Sequence, residues 1–248
     1  MTKTSGVHLI RILLIGLVCP AAIVSAQQRP PIADQIAKAH GLDSFGQVEA
    51  IRYTFHIEAG ALKLSRSWVW EPKKDQITYD AKDQAGNPVM VTYSRSQLAS
   101  QSDSVKTEID PAFFNDQYNL LLPFHVVWDN SATVVDDGMQ KLPLGKGSAR
   151  RVVVKYPSDG GYTPGDTWEL FVGTEGRIQA LSFHHGGPAK PSTFIGTFTD
   201  YKKVGPLLLS LDHPGKADGQ PARVFFTNVA VKLAGSDTWM EAQQLPAG

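Results

Sequence analysis

Histidines are the residues of this sequence whose chemistry could serve catalysis or metal binding. His125, His184, His185 and His213 are the four that could form one site. His184 and His185 lie next to each other at the end of a predicted strand, where neighbouring side chains face opposite sides and do not easily share a metal. No His-x-x-x-His or His-x-Glu spacing accompanies the four. We therefore interpret them as rim or solvent-facing residues and predict no metal site; an envelope hydrolase or metal-dependent enzyme that uses them is the alternative.

The carboxylates give no acid–base pair. Asp116 falls on the polar side of a predicted helix, Asp129 follows Trp128, and Asp200 precedes Tyr201. We interpret all three as solvated or turn-associated side chains, since nothing in the sequence indicates a perturbed environment. The chain also lacks a Gly-x-Ser-x-Gly elbow and a phosphate-binding glycine loop. We predict no catalytic residue, no cofactor and a non-enzymatic protein.

Aromatic and aliphatic residues are the unusual feature of the chain. The stretch from Phe113 to Asn130, "FFNDQYNLLLPFHVVWDN", is rich in them, and tryptophans recur in a strand-like run before it. They either fill the contact between a helix and a sheet or line a pocket for an apolar ligand, and both can hold. The predicted ligand-binding residues are Trp68, Trp70, Phe114, Tyr118, Leu122, Phe124 and Trp128.

The elements that position these residues are mostly strands. "AIRYTFHIE" and "LKLSRSWVW" alternate apolar and polar residues, and Ala59-Gly60 between them predicts a hairpin. Similar short runs with turn signals continue to "RVFFTNVAVKL", with "HPGKADGQP" as a polar loop before it. We count ten or eleven strands, and because long connections are scarce the sheet should be antiparallel.

Two helices are predicted. "PIADQIAKAHGL" has Pro31 at a first helical position and Gly41 as a stop. In the aromatic stretch, Asp110 suits an N-cap and apolar residues follow at helical spacing. Pro123 should end that helix, and Phe124, Val126 and Trp128 should alternate as a strand that turns His125 away from the apolar face.

Composition and the first residues bear on location. Lys plus Arg and Asp plus Glu number 24 each, and a neutral chain argues against nucleic-acid binding. Residues 1–26 combine Lys3 and Arg11, an apolar run and a small-x-small ending, which predicts a signal peptide cleaved after Ala26. Cleavage removes Cys19, the only cysteine, and leaves 22 basic and 24 acidic residues. Cys19 also leaves a lipid anchor as an alternative.

The order of the predicted helices and strands resembles that of a known protein superfamily. The segment "TFTDYKKVGPLLLSLD" is similar, at Phe198, Asp200, Tyr201, Val204 and Gly205, to an aromatic-Asp-Tyr-x-x-Val-x-Gly phrase of the periplasmic lipoprotein-carrier (LolA/LolB-like) superfamily, with the glycine one position early. The resemblance implies an α+β fold that is mainly antiparallel β: a strongly curved, incomplete barrel with a helix over its concave face. No linker stands out in the sequence, so we expect one LolA-like domain at 27–241, and the last residues predict a flexible tail at 242–248. The functional arginine of the carriers has no recognisable counterpart, but Arg66 lies on the apolar face of its strand as an inward charge.

The apolar and aromatic residues and the family resemblance together give the functional expectation. We expect an exported periplasmic protein that binds or carries a hydrophobic small molecule, a lipid or a lipoprotein acyl chain in the concavity of the sheet. A non-catalytic envelope adaptor with a protein partner, attached through an exposed sheet edge, is a further alternative. Fold does not settle function.

Overall fold

The computed structural model describes residues 29–82, 86–159, 164–186 and 194–245. The predicted signal peptide, its cleavage site after Ala26 and Cys19 all lie outside these ranges. Within them, no helix combines the length and the apolar character needed to cross a bilayer.

An antiparallel sheet makes up most of the fold. It contains fourteen strands among the described residues, and every strand pairing that they show is antiparallel. The strands are β1 (Val48–Ala59), β2 (Leu62–Glu71), β3 (Gln76–Lys82), β4 (Pro88–Tyr93), β5 (Thr133–Lys141), β6 (Ser148–Lys155), β7 (Thr167–Val172), β8 (Ile178–His184), β9 (Phe194–Thr197), β10 (Thr199–Val204), β11 (Leu207–Ala217), β12 (Gln220–Leu233), β13 (Trp239–Glu241) and β14 (Gln243–Gln244).

The strand order makes an open, curved sheet rather than a closed barrel. It runs β4-β3-β2-β1-β12-β11-β9-β8-β7-β6-β5, so β4 and β5 are the two edges. The pairing of β1 with β12 joins the two halves of the chain at the centre. This confirms the predicted fold class, an incomplete antiparallel barrel with a helix over its concave face.

The helices are α1 (Pro31–Ala39), α2 (Leu42–Phe45) and α3 (Asp110–Trp128), with a π-helix at Val105–Ile109 directly before α3. Two 3₁₀ segments lie at Pro72–Lys74 and Arg95–Ser100. The predicted leading helix is confirmed: Pro31 occupies its first turn, and Gly41 follows at φ +101°. A side chain at Gly41 would strike the Pro206 carbonyl oxygen, 2.6 Å from an added Cβ.

The predicted break at Pro123 is wrong. Helix α3 continues through Pro123 to Trp128, so Phe124, Val126 and Trp128 are helical and form no strand. Leu121 leaves helical geometry at φ −108° and ψ 18°, and this kink accommodates a proline ring that would otherwise clash with the preceding turn. Burial on nearly all sides stabilises the segment by more than the roughly 3 kcal/mol that an internal proline costs. Tertiary packing therefore outweighs the helix-breaking propensity of Pro123.

The predicted polar loop "HPGKADGQP" is also wrong in its main part. β11 extends to Ala217 and β12 begins at Gln220, so a tight turn at Asp218 and Gly219 joins two long strands. Both turn residues have positive φ, +48° and +80°, as a two-residue hairpin turn requires. Gly215 allows β9 to approach, because an added Cβ would lie 1.9 Å from the Ile195 carbonyl oxygen.

The remaining differences involve short strands. "STFIGTFTDYKK" divides into β9 and β10 at Phe198, whose N–H donates to the Gln179 carbonyl. Within the expected flexible tail, β14 pairs with β10; residues 246–248 lie outside the described ranges. These strands depend on distant partners, so local alternation does not reveal them.

Two hydrophobic clusters lie on the concave side, and α3 contributes to both. One gathers residues of β1–β4, β11 and β12 around Phe113, Leu121 and Phe124. The other gathers α1 and β5–β8 around Tyr118, Leu122 and Val126. Helix α3 is thus buried between the two halves of the sheet.

Candidate functional site

A buried ion pair fixes the first half of α3 to the sheet. Asp116 is fully buried, and Arg66 of β2 donates to both of its oxygens, from Nε at 2.7 Å and from Nη2 at 2.5 Å. The indole N–H of Trp68 donates at 2.9 Å and the Asn115 amide at 3.0 Å. Burial raises the pKa of the Asp116 carboxyl, and the hydrogen bonds from Arg66, Asn115 and Trp68 oppose that rise.

The ion pair bears on two expectations. Arg66 is an inward charge on the apolar face of β2, as predicted. The prediction that Asp116 is solvated is wrong, because its side chain turns inward to meet the guanidinium. Only the tertiary contact between α3 and β2 brings the two charges together, fifty positions apart in sequence.

A second carboxylate holds the start of α3. Asp110 is fully buried, accepts a hydrogen bond from the Tyr93 hydroxyl at 2.9 Å and forms an ion pair with Arg95 at 3.0 Å. The expected N-cap role is wrong, because the π-helix precedes Asp110 and its side chain makes no cap. It ties the helix to β4 instead.

A groove of about 980 Å³ lies beside this anchored part of α3. Residues of the concave face on β2–β4 form one wall, and the π-helix and the first turn of α3 form the other. Its apolar lining comes from Leu64, Tyr79, Ala81, Val89, Ile109 and Ala112. Its charged lining comes from Arg66, Asp80 and Glu108. Ser65, Ser67 and Ser104 also line it, so the groove is a trough of mixed apolar and polar character, in the size range of small-molecule sites.

Arg66 connects the anchor to the groove. Its side chain keeps 19% exposure while it binds Asp116, and its guanidinium carbon lies 5.3 Å from the Phe55 ring centre. The Tyr79 ring packs on Trp68 at 4.6 Å between ring centres. Burial raises the pKa of the Tyr79 hydroxyl. Arg66 and Tyr79, which line the groove, are thus held in place by their contacts with Asp116 and Trp68.

Four of the predicted ligand-binding residues lie under or at the end of α3. Trp68 is buried and Trp70 half-buried, and each contacts Phe113 edge-on, with ring centres 5.4 and 6.0 Å apart. Phe124 is buried and Trp128 half-buried, with their rings stacked at 5.1 Å. In this structure these residues pack the helix against the sheet.

The other three face the second half of the sheet. Leu122 is buried in the cluster that contains α1. Phe114 and Tyr118 line a smaller pocket of about 260 Å³ against β7 and β8. The structure thus distributes the seven predicted residues over three places, and none of them is among those lining the large groove. Their contact with a ligand stays a prediction.

Sequence reasoning missed the residues of the groove wall. Leu64, Tyr79, Ala81 and Val89 belong to strands that were recognised, and alternation alone puts them on the inward face. No local signal in the sequence would have identified them as groove residues. They line the groove because β2–β4 lie at the edge of the sheet away from the half that α1 covers, and alternation does not give that strand order.

A polar network secures the end of α3. His125 is buried, and its Nδ1 lies 3.0 Å from both carboxylate oxygens of Asp129, while its Nε2 lies 3.1 Å from Oε1 of the Gln117 side chain. The Tyr156 hydroxyl donates to Asp129 and lies 2.8 Å from the Tyr118 hydroxyl. Burial alone would raise the pKa of Asp129, but His125 and Tyr156 hold it below its usual value. The predicted outward position of His125 is wrong, whereas Asp129 lies in the turn after α3, as one of the two expected alternatives had it.

The other histidines do not assemble into one site. His184 lies 3.7 Å from Glu169 and His185 lies 3.0 Å from Asp166, both around the end of β8. His213, expected in a loop, lies in β11, is buried and stacks on Phe198 at 4.0 Å. Across the described ranges, no group of three His, Cys, Asp or Glu side chains could hold a metal ion.

Comparisons with known proteins identify the fold. A LolA superfamily protein from Nitrosomonas europaea superposes with a TM-score of 0.50 at 6% identity, over 83% of this chain and 93% of that one. A DUF1329 family protein from Desulfovibrio piger gives 0.46 at 10% identity, over 85% and 96% of the two chains. A putative outer membrane lipoprotein-sorting protein domain from Vibrio parahaemolyticus gives 0.47 at 7% identity, over 84% and 93%. No family model and no curated protein matches the sequence.

The superposition at TM-score 0.50 supports the expected resemblance at the level of fold. This chain, an open, curved antiparallel sheet with a long helix across its concave face, superposes on the LolA superfamily protein over 83% of its length. At 6% identity the likeness extends to fold alone. The chain therefore has a LolA-like fold.

Proposed function

We propose that this protein binds a lipid or other hydrophobic ligand in the groove between β2–β4 and the first turns of α3, and that it acts as an exported periplasmic carrier. The observation that supports this most is the open space of about 980 Å³ between β2–β4 and α3, with Leu64, Val89 and Ile109 in its lining. The LolA-like fold agrees with a carrier role, because the resemblance implies a hydrophobic cavity under a helix.

The lining suits an amphiphile. Leu64, Val89 and Ile109 supply apolar contact along the trough, where each buried methylene of an acyl chain contributes about 0.8 kcal/mol. Arg66 and Glu108 lie among them as groups that a polar head could meet. Because Arg66 already binds Asp116, the recognition of the chain should outweigh that of the head.

The first experiment asks whether the protein carries a ligand. The chain without residues 1–26 is recovered from a bacterial periplasm, and native mass spectrometry followed by organic extraction identifies any bound lipid. Binding of a fluorescent fatty acid is measured in parallel. A mass equal to the bare chain, together with no fatty-acid binding, would sink the proposal. A stable protein that co-purifies with a ligand-free chain would favour the adaptor alternative.

The second experiment places the ligand. Val89 lines the groove, whereas its neighbour Met90 is 72% exposed and does not line it. Val89→Trp should weaken fatty-acid binding at least tenfold by occupying the trough. Met90→Trp, one position along the same edge strand, should leave binding unchanged. Equal binding by both variants would remove the groove as the site.

A further inference from the structure

A second pocket lies on the other side of α3, against β7 and β8. It has a volume of about 260 Å³, and aromatic rings form most of its wall. The ring of Trp168 lies 4.9 Å from that of Tyr118 and 4.3 Å from that of Phe183, so the three make a continuous aromatic surface. Phe114 extends it, 5.9 Å from Tyr118. The proposed lipid groove shares no lining residue with this pocket.

A buried carboxylate lies at this aromatic surface. Asp166 is 4% exposed, and its Oδ1 lies 3.0 Å from His185 Nδ1 and accepts a hydrogen bond from the Gly186 N–H at 2.7 Å. Both contacts go to the same oxygen. In the part of the chain that the structure describes, Oδ2 receives no hydrogen bond. A carboxylate oxygen that lines an aromatic pocket and receives no donor from the protein attracts a positive group.

A second polar atom at the pocket has no partner. Trp168 is 6% exposed, and its indole N–H finds no acceptor among the described residues. Its nitrogen is not reached by solvent, so a molecule in the pocket would meet the ring of Trp168 and not its N–H. The pocket therefore combines aromatic faces and one carboxylate oxygen.

We propose that this pocket binds a compact quaternary ammonium group, such as that of choline or a phosphocholine head. Aromatic faces attract cations, and a quaternary ammonium needs no hydrogen bonds, so one carboxylate suffices. A primary ammonium has three donors to satisfy, more than this pocket accepts.

The basic side chains near the pocket are engaged by other groups, so the pocket stays free for this ligand. Arg95 lies over Phe114 at 5.6 Å, but it is ion-paired with Asp110. His185 is 66% exposed at its side chain and contacts the other oxygen of Asp166. Tyr118, Trp168 and Phe183 supply the aromatic surface that the ligand would use.

Calorimetric titration of the full chain with choline chloride and tetramethylammonium chloride tests the proposal, with sodium chloride as the ionic-strength control. Saturable binding of both is expected. Asp166→Asn should weaken it at least tenfold, whereas Asp80→Asn, an exposed carboxylate of the other groove, should not change it. If Asp166→Asn fails to fold, Phe183→Leu should still weaken binding severalfold. No saturable binding, or equal binding by Asp166→Asn and Asp80→Asn, would overturn the proposal.

A neutral isostere and a short-chain lipid complete the test. The alcohol 3,3-dimethylbutanol has the shape of choline without its charge, and binding as tight as that of choline would overturn a cation site. Dihexanoylphosphatidylcholine, below its micelle concentration, separates the two sources of the ligand. Tighter binding than choline that Asp166→Asn abolishes assigns a lipid head; equal binding assigns the free cation. Fatty-acid binding should be unaffected by Asp166→Asn, so this pocket and the lipid groove can fail separately.

Discussion

The two halves of the concave face are built from the same kind of sheet and filled differently. Beneath β5–β8, α1 and α3 pack side by side, and Ile32, Ile36 and Tyr118 are buried there with the strand residues. Beneath β2–β4, the π-helix and the start of α3 lie over the sheet, Phe45 of α2 reaches Trp70 of β2, and a groove of about 980 Å³ remains. The difference shows that the placement of the covering helices, rather than the strand pattern, decides where the sheet stays hollow.

The attachments of α3 to the two halves also differ. On the groove side, Asp116 meets the guanidinium of Arg66 as a buried ion pair. On the filled side, the hydroxyls of Tyr118 and Tyr156 join the His125–Asp129 pair. Three changes test this contrast, and their expected effects decrease from the ion pair to acidification to the packing of single alanines.

Asp116→Ala should have the largest effect. It leaves the Arg66 guanidinium and the Trp68 N–H without their acceptor in a mostly buried place, and we expect a loss of about 3–5 kcal/mol in the free energy of unfolding. Urea titration followed by circular dichroism measures it. Asp80→Asn, exposed in the same groove, is the control and should change stability little.

A double variant tests the same ion pair more closely. Arg66→Met combined with Asp116→Leu replaces the ion pair with apolar side chains of similar volume and should recover much of the lost stability. A loss for Asp116→Ala no larger than that for Asp80→Asn would mean that the ion pair does not hold α3 on the groove side.

Acidification should act next, chiefly on the filled side. Burial lowers the pKa of His40 to about 4, and burial lowers that of His213 to about 4 as well. His40 lies 5.8 Å from Tyr201 between ring centres, and His213 stacks on Phe198. Since the folded pKa lies below the usual 6.5, the native state favours the neutral form. This contribution is fully present above pH 6.5 and is lost as the pH falls from 6.5 towards 4.

Urea midpoints measured between pH 7.5 and pH 4 test the predicted loss of stability at low pH. We expect a decrease of a few kcal/mol across that window, since each unit of pKa shift corresponds to about 1.4 kcal/mol. His213→Phe should flatten the dependence while keeping the stack on Phe198. Asp80→Asn, at an exposed carboxylate, should leave it unchanged. An identical pH profile for all three chains would show that these burials do not control acid stability.

A pair of alanines tests the packing contrast directly. Ala37 of α1 is fully buried in the filled half, and Ala112 of α3 is half-buried at the groove. Ala37→Leu should destabilise the fold by about 1–3 kcal/mol through overpacking. Ala112→Leu has open space beside it and should cost less than about 0.5 kcal/mol. Thermal and urea unfolding of the two variants measure the difference; equal losses would mean that the groove is closed in solution.

The sequence predicted the sheet well because alternation is local. β1 and β2 form the hairpin around Ala59-Gly60 that their alternation indicated, and Pro31 and Gly41 bounded a real helix. Arg66 was recognisable as an inward charge because it interrupts an apolar face. Each of these inferences needed only neighbours within a few positions.

The predictions that failed each needed a distant contact. Pro123 breaks an isolated helix, yet α3 passes through it because the whole segment is buried between two sheet halves. Asp116 is polar and should face water, yet Arg66 of another strand draws it inward. His125 was predicted to point away from the core and instead lies within the network of Asp129 and Tyr156.

By itself, the sequence determined that this chain forms an antiparallel sheet with a leading helix and an aromatic-rich helix, because side-chain alternation and turn residues act over short distances. The tertiary structure alone decided which aromatic residues fill the interior and which part of the concave face stays open. That outcome depends on strand order and on where α1 and α3 come to rest. These are long-range contacts, and their energy depends on burial and charge pairing between residues far apart in the chain.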